Sequence, residues 1–225
     1  MTKAAKAKKM TRDSKQLRTE LKPRQGGQTD YLRTLIESDV TFATGPAGTG
    51  KSFLCIGLAC QYILEGRYDY IVIARPTVEA SPRGLGFLPG DMEEKLSPYL
   101  YPAVEHMKRF LGPAEYTGLF REGIIKFEAL EYMRGRTYDN TFMILEEAQN
   151  CTADQLKMFV TRIGDKSKIA INGDIEQSDV GSGQGLHYVM DKLAKANLPQ
   201  FGLVELTEVD IVRNKLIGDF LRVFK

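Results

Sequence analysis

Residues 45–52 read Gly-Pro-Ala-Gly-Thr-Gly-Lys-Ser, which matches the phosphate-loop pattern G-x-x-x-x-G-K-[ST]. Its glycines can adopt backbone angles that are closed to residues with a Cβ, so successive N–H groups can point into one cup. Such a cup at the start of a helix suits a polyphosphate, with Lys51 reaching the β- and γ-phosphates and the Ser52 hydroxyl ligating Mg²⁺. The predicted nucleotide-binding residues are Gly45, Pro46, Ala47, Gly48, Thr49, Gly50, Lys51, Ser52 and Phe53.

The segments around this loop predict an α/β fold. A β-branched and aromatic run at 40–44 precedes the loop and an apolar helix at 53–64 follows it, which is the order that a phosphate loop requires. Further along, predicted strands alternate with predicted helices, so we expect a three-layer P-loop fold with a mostly parallel sheet and helices on both faces. The other predicted strands are 70–74, 124–128, 142–145, 168–172 and 201–206, and the other helices are 153–163, 182–196, 210–224 and one from Asp91 that Pro98 and Pro102 break or kink.

Charge is unevenly distributed along the 225 residues. The net charge is +2, but residues 1–24 hold nine Lys/Arg and two Asp/Glu, a net +7, which leaves −5 for the remaining 201 residues. We interpret residues 1–24 as a basic, flexible arm, which either contacts nucleic acid or is a solvated terminus. Residues 25–225, with ordinary globular composition, are predicted to form a single domain.

The remaining composition argues against a membrane, a disulfide framework and a zinc site. Three cysteines without a C-x-x-C pair, two of them in the apolar 53–64 helix, predict buried thiols in a reduced, cytoplasmic protein. No apolar run approaches 18 residues and no signal sequence is present, so we expect no membrane partner. His106 and His187 are isolated from other ligands in the sequence, which makes zinc binding improbable.

Two acids follow the apolar run 142–145. Ligands of an open α/β sheet sit at the carboxyl ends of its strands, so these acids are predicted to lie near the phosphate loop. Since Leu145 is the last buried strand residue, Glu146 is the candidate Mg²⁺ ligand and Glu147 the candidate general base for an attacking water. The alternative is a pair of solvated glutamates at a strand end.

Polar residues at two other positions are candidates for contacts to the nucleotide. Asn172 or Asp174 follows the strand 168–172 and would stand beside the γ-phosphate as a sensor, although an Asx-rich turn also explains the composition. Gln28 could pair with the adenine edge and Tyr31 could stack on the ring, but the residues alone favour a structural role for both.

Taken together, these motifs closely resemble the PhoH family of phosphate-starvation-inducible ATPases. The segments that carry the resemblance cover about residues 25–225, and they are 45–51, Arg75-Pro76 with 78–80, 85–91, 132–136, 147–150 and 172–174 with Gln177. The family in turn resembles the first RecA-like domain of superfamily 1 helicases. The resemblance therefore implies a RecA-like ATPase domain, and one departure stands out, since Glu146 replaces the usual aspartate. We expect weaker or altered Mg²⁺ binding from the extra methylene.

The resemblance also assigns roles to single residues. By this resemblance, Gln28 would contact the adenine base and Arg213 would act as an arginine finger. Asp174 and Gln177 would form a helicase-like sensor motif. Arg75 becomes the start of a nucleic-acid-contacting segment. Further candidates for such contacts are Phe87, which alternatively anchors its loop, and Arg134 and Arg136, which are also alternatives to Arg213.

A single RecA-like domain leaves the site without the second domain that helicases supply. We therefore predict a homo-oligomeric ring, a hexamer by the resemblance, in which an arginine completes the neighbour's site. The expected activity is hydrolysis of ATP with Mg²⁺, coupled to RNA or single-stranded DNA. An ATP-dependent switch or scaffold, in which no strand moves, is the alternative; a small-molecule kinase suits the acid pair less well.

Overall fold

A single parallel sheet organises the chain. The computed structural model describes residues 16–76, 92–174, 177 and 185–212, with the backbone alone for 92–99. Its six strands are hydrogen-bonded in the order β3-β2-β4-β5-β1-β6, and all pairs are parallel. The strands are β1 (Val40–Thr44), β2 (Tyr70–Arg75), β3 (Ile125–Ala129), β4 (Thr141–Leu145), β5 (Lys168–Gly173) and β6 (Phe201–Glu205). Each predicted strand is present within one or two residues.

Helices cover both faces of this sheet. Among the described residues they are α1 (Gly26–Glu37), α2 (Lys51–Leu64), α3 (Met92–Leu111), α4 (Pro113–Arg121), α5 (Ala153–Val160) and α6 (Leu186–Ala196). Alternate strand residues enter two separate cores: Ile73 and Ile144 pack with α1 to α4, and Met143 and Ile171 pack with α5 and α6. The predicted three-layer, RecA-like P-loop fold is therefore confirmed.

Helix α1 was not predicted, because its start has no local signal. It begins at Gly26-Gly27, residues of low helix propensity, and no side chain of a neighbouring residue caps it. Instead the Gly27 N–H donates to Asp210 Oδ1 at 3.0 Å, across 183 positions of sequence. This tertiary contact satisfies one of the N–H groups that the first turn leaves unpaired.

Two further differences concern the region after β2. Pro98 and Pro102 were predicted to break or kink the helix; a break is wrong, since α3 is continuous from Met92 to Leu111. Pro102 lies on the exposed side of α3, where water can bind the carbonyl that a proline leaves unpaired. Helix α4, with Pro113 in its first turn, was also not predicted. In contrast, the predicted helix 153–163 is present as α5, which ends at Val160 and is capped by Thr152 in a complete capping box with Gln155.

The ends of the described chain contact the domain. Residues 16–24 belong to the segment that was predicted as a flexible arm. The Arg18 N–H donates to the Phe110 carbonyl at 2.8 Å and Leu21 packs against the core beside α2.

The predicted helix 210–224 lies mostly outside the described residues. Cys55 and Cys60 are buried free thiols, as predicted, and Cys151 is a buried free thiol as well. In the part of the chain that the structure describes, no helix is both long and apolar enough for a membrane span.

Candidate functional site

The carboxyl ends of β1, β4 and β5 meet at one edge of the sheet. Strand β5 lies between β1 and β4, so the segments that follow these strands are neighbours. They enclose a cavity of about 400 Å³. Its lining includes most of the predicted phosphate loop, both predicted acids and the sensor candidates, namely Ala47, Gly48, Gly50, Lys51, Ser52, Phe53, Glu146, Glu147, Asn172, Asp174 and Gln177. Residues that were selected from distant parts of the sequence therefore share one site.

The phosphate loop adopts the backbone that its glycines allow. Gly45, Gly48 and Gly50 have φ of 139°, 91° and 87°, in the range that residues with a Cβ rarely adopt. A Cβ on Gly45 would also overlap the carbonyl oxygen of Leu206. The Lys51 ammonium lies back over the loop, where it donates to the Gly45 and Pro46 carbonyls at 2.5 and 3.0 Å. The cation is thus held at the mouth of the amide cup.

Ser52 and Glu146 form the first polar pair beside the loop. The Ser52 hydroxyl donates to Glu146 Oε2 at 2.6 Å, and Asn172 Nδ2 donates to the other carboxylate oxygen, Oε1, at 3.1 Å. Burial raises the pKa of Glu146 above its ordinary value; the bonds from Ser52 and Asn172 lower it, repulsion from Glu147 raises it, and Lys51 lowers it. The structure thus brings Glu146 to the side of the loop predicted for the metal.

This pair fits Mg²⁺ when a nucleotide supplies the remaining ligands. Mg²⁺ is usually bound by one or two carboxylates, waters and substrate phosphates rather than by a cage made of protein alone. Ser52 and Glu146 offer hard oxygen donors 2.6 Å apart at the start of α2. No group of three or more His, Cys, Asp or Glu side chains that could hold a metal by itself occurs among the described residues. The donor set is therefore compatible with Mg²⁺ that a bound nucleotide would also ligate.

Glu147 lies on the other side of the cavity, and its side chain is 40% exposed. Its backbone is left-handed, with φ of 56°, which turns the chain sharply at the end of β4. Gln149 Nε2 donates to Glu147 Oε2 at 2.6 Å, and Arg75 NH2 lies 3.7 Å from Oε1. Gln149, which was not predicted as a site residue, thus holds the candidate base.

The sensor candidates are tied to this side of the cavity. The Asp174 N–H donates to Gln149 Oε1 at 3.0 Å, and Asp174 Oδ2 accepts from the Ala47 N–H at 3.0 Å and from Gln177 Nε2 at 2.8 Å. Ala47 belongs to the amide cup, so a bound phosphate and Asp174 compete for the same N–H. Asp174 is therefore situated to respond to the occupancy of the loop.

Gln28 and Tyr31 lie under the loop rather than in the cavity. The Gln28 amide donates to the Thr49 carbonyl at 2.9 Å, and its oxygen accepts from the Arg24 N–H at 2.7 Å. Both ends of the carboxamide are therefore bound within the protein, which leaves Gln28 supporting the loop instead of facing a base. Tyr31 is fully buried, which agrees with the structural role that the residues alone favour and excludes the alternative of stacking on adenine.

The candidate residues for nucleic acid and for the arginine finger are spread over the molecule. Arg75 lies beside Glu147. Arg136 is exposed, and its NH1 forms an ion pair with Glu128 at 3.1 Å. Arg134 is exposed and lines a separate surface pocket with Leu130. Phe87 and Arg213 lie outside the described residues.

His106 also lines the cavity, a position that was not predicted from the sequence. It extends from α3, and its ring meets the Phe53 ring edge to face, with the centroids 5.5 Å apart. Burial and the charge of Arg109 lower its pKa, so the ring is neutral at pH 7. The signal that could have found it is helical spacing, because Ala103, Met107 and Phe110 form the buried face of α3 and His106 borders it.

The comparisons with known proteins agree with this geometry. A sequence model of the family described as PhoH-like protein matches residues 20–225. The chain belongs to the PhoH-like family. It is 39% identical over 198 residues to a PhoH-like protein of Bacillus subtilis, an alignment that covers 88% of this chain and 62% of that protein. It is 37% identical over 219 residues to Protein PhoH of Escherichia coli K12, covering 96% of this chain and 61% of that protein.

The relationship extends beyond these two proteins. A PhoH-like protein of Synechocystis is 38% identical over 198 residues, which is 88% of this chain and 60% of that relative. The chain thus spans about three fifths of the length of the curated relatives that it matches. The shared region includes the phosphate loop and both acids. The predicted relationship to the PhoH family is therefore confirmed.

Proposed function

We propose that this PhoH-like chain binds ATP with Mg²⁺ in the cavity and hydrolyses it, as a homo-oligomeric ring that acts on RNA or single-stranded DNA. One observation carries the proposal: the amide cup, the Ser52–Glu146 pair and Glu147 open into the same cavity. These are the three parts that phosphoryl transfer to water requires, namely a phosphate cradle, a metal-ligand pair and a base.

Each part has a separate task. The loop amides and Lys51 bind the phosphates, and Ser52 and Glu146 would hold Mg²⁺, which neutralises charge that develops on the phosphate oxygens. Glu147 accepts a proton from the attacking water. Gln149 and Arg75 keep its carboxylate oriented, since one donates a hydrogen bond to it and the other is a cation 3.7 Å away.

The ring is supported by the lining of the cavity, which includes no arginine among the described residues. Its lining contains one cation, Lys51, whereas related nucleotidases add an arginine to the transition state. Arg213 is our candidate, acting on the neighbour's site. However, Val212 lines the chain's own cavity and its N–H donates to the Gly48 carbonyl at 3.0 Å, so Arg213 of the same chain is the competing source.

Subunit mixing separates these two sources. We expect Glu147→Gln and Arg213→Ala to be inactive alone and to regain activity when they are mixed and reassembled. Random one-to-one mixing restores an intact pair at roughly one site in four of a ring with heterologous interfaces. No recovery at any ratio would show that Arg213 acts within its own chain.

Nucleic-acid action is supported by basic residues outside the phosphate cup. Arg75 is the last residue of β2, Arg134 follows the short helical segment after β3, and nine Lys/Arg occupy residues 1–24. The test is steady-state ATPase with and without RNA or single-stranded DNA at two salt concentrations. A motor predicts stimulation that falls steeply with salt, because phosphate contacts release counterions. A rate that is indifferent to both polymers at both salt concentrations would contradict it.

An ATP-dependent switch or scaffold is the second candidate. It is favoured by the link between the loop and the segment that leads to the C-terminus: the Leu206 N–H donates to the Thr44 carbonyl, and the Val212 N–H to Gly48. A loop that moves on binding would carry this segment with it. The switch predicts assembly that changes between ATP and ADP, with hydrolysis indifferent to nucleic acid. Light scattering in the two nucleotides measures that change.

We also assign the protein to the cytoplasm. Cys55, Cys60 and Cys151 are all free thiols, and thiols persist in a reducing compartment. Fractionation of cells that express the full chain tests this assignment.

A further inference from the structure

Tyr31 carries a hydroxyl deep in the core beside the Mg²⁺ side of the cavity. The residue lies in α1 and is 0% exposed. Its hydroxyl donates to Asn172 Oδ1 at 2.5 Å. A phenylalanine would fill the same apolar space, whereas a buried hydroxyl costs free energy unless it is hydrogen-bonded. The position therefore uses the hydroxyl for the contact with Asn172.

Glu146 determines which group donates in the hydrogen bond between Tyr31 and Asn172. Glu146 in its ionised form can only accept, so Asn172 must present its NH₂ to the carboxylate and its carbonyl oxygen to Tyr31. The distances agree, with Asn172 Nδ2 at 3.1 Å from Glu146 Oε1. The same nitrogen lies 3.0 Å from Cys55 Sγ. Tyr31 is thus the donor that holds the amide in the orientation Glu146 needs.

The chain of contacts continues to the metal-ligand pair. Glu146 accepts from Asn172 on one oxygen and from Ser52 on the other. Four side chains from α1, β5, the end of β4 and α2 are therefore joined, and the donors on both sides are directed toward Glu146. Tyr31 itself is not among the residues that line the cavity. Its influence on the site therefore passes through the groups that it contacts. Of these, Asn172 makes the shorter bond to Glu146, at 3.1 Å against 3.8 Å from Cys55 Sγ.

We propose that Tyr31 is a positioning residue for the Mg²⁺ site, which acts through Asn172 on Glu146. The inference rests on the proposed function. In Tyr31→Phe the Asn172 oxygen loses its donor inside the core. The amide can then rotate and turn that oxygen toward the carboxylate, which repels it. Glu146 loses a fixed position, while the loop amides and Lys51 keep theirs.

The experiment compares ADP binding in MgCl₂ and in EDTA by calorimetry, together with the Mg²⁺ dependence of ATPase. Residues that orient metal ligands typically contribute 10–100-fold to metal affinity, and Tyr31 acts one residue further away, so we expect half-saturating Mg²⁺ to rise about threefold to tenfold in Tyr31→Phe. ADP affinity in EDTA stays within about twofold of wild type, since the phosphate cup is unchanged. Tyr62→Phe, at a buried tyrosine of the same core, is the matched control and leaves both quantities unchanged.

A double-variant cycle tests the route through Asn172. Asn172→Ala should raise half-saturating Mg²⁺ at least as much as Tyr31→Phe, and adding Tyr31→Phe to it should have no further effect. Additive effects would overturn the route. An unchanged Mg²⁺ dependence in Tyr31→Phe, or a loss of ADP binding in EDTA as well, would overturn the positioning role. A wild-type chain whose ADP binding ignores Mg²⁺ would instead reject the proposed function.

Discussion

The two sides of the cavity are built in different ways. On the metal side, Ser52, Glu146 and Asn172 project from the start of a helix and the ends of two central strands, and hydrogen bonds satisfy both oxygens of the carboxylate. On the water side, Glu147 is 40% exposed and sits in a left-handed turn, and Asp174 follows the end of β5. The metal side is therefore anchored in the core of the protein, whereas the water side is attached to the edge of the core.

This difference indicates which side reorganises when a nucleotide binds. Asp174 occupies the Ala47 N–H of the amide cup, and a phosphate that takes this N–H must release the carboxylate. Gln149 accepts from the Asp174 backbone N–H and donates to Glu147, so we expect a shift of Asp174 to reach the base through Gln149. On the metal side, Glu146 is held by Ser52 and Asn172, neither of which is an N–H of the cup. We therefore expect Mg²⁺ binding to be preset and base positioning to depend on the nucleotide.

The largest expected effect comes from removing the base. Glu147→Gln should lower kcat by roughly 10²–10⁴-fold, the range that general base catalysis contributes. MgATP affinity should stay near that of wild type, because the metal side is intact. Glu205→Gln, at the exposed end of the edge strand β6, is the control and should retain full activity. Loss of binding in Glu147→Gln would remove the distinction between the two sides.

Gln149→Met tests the link on the water side. Methionine keeps the volume but neither donates to Glu147 nor accepts from Asp174, so kcat should fall about tenfold through misplacement of the base. Half-saturating Mg²⁺ should not move. A Mg²⁺ shift without a change in kcat would assign Gln149 to the other side of the cavity.

Glu146→Asp tests the metal side. A carboxylate that is shorter by one methylene cannot keep both the Ser52 and the Asn172 contacts, so half-saturating Mg²⁺ should shift about threefold to tenfold. A rise would show that the site is built around glutamate, and a fall would show that the extra methylene weakens Mg²⁺ binding. Glu147→Asp shortens the neighbouring acid by the same amount and should change kcat alone. Identical Mg²⁺ titrations for wild type and Glu146→Asp would contradict the expectation that glutamate alters Mg²⁺ binding here.

The smallest effect concerns stability. Because burial raises the pKa of Glu146 above its ordinary 4.5, the folded chain binds more protons than the unfolded chain between these two pKa values. The buried charge therefore costs stability above the folded pKa, and the cost disappears below 4.5. Glu146→Gln should raise Tm at pH 7.5 by about 2–4 °C, and the gain should vanish as the pH falls below 4.5. A gain that persists in acid would point to packing instead.

The sequence predicted the fold and the centre of the site because both follow from local patterns. The apolar runs at 142–145 and 168–172 gave strands β4 and β5 within a residue. The spacing within 45–52 predicted the loop, whose glycines have the expected positive φ. Parallel strands then bring the segments after β1, β4 and β5 together, so Glu146 and Asn172 could be assigned to the site before their contacts were known.

What could not be predicted depends on contacts between distant segments. Helix α1 needs Asp210 at its start, and only the folded chain shows that Tyr31 faces Asn172 instead of a nucleotide base. Gln28 was assigned to adenine by resemblance, yet its amide supports Thr49. His106 reaches the cavity from α3 because of how that helix packs on α2. Side-chain partners of this kind have no signature within a single segment.

Equilibrium binding of ATP to the full chain and to Ser52→Ala, each in Mg²⁺ and in EDTA, tests the central claim most directly. If Ser52 and Glu146 hold Mg²⁺ against a phosphate in the cup, Mg²⁺ should tighten ATP binding to wild type by about tenfold or more, and Ser52→Ala should abolish that gain while binding in EDTA stays unchanged. An ATP affinity that is the same with and without Mg²⁺ in wild type, or an undiminished gain in Ser52→Ala, would contradict the account.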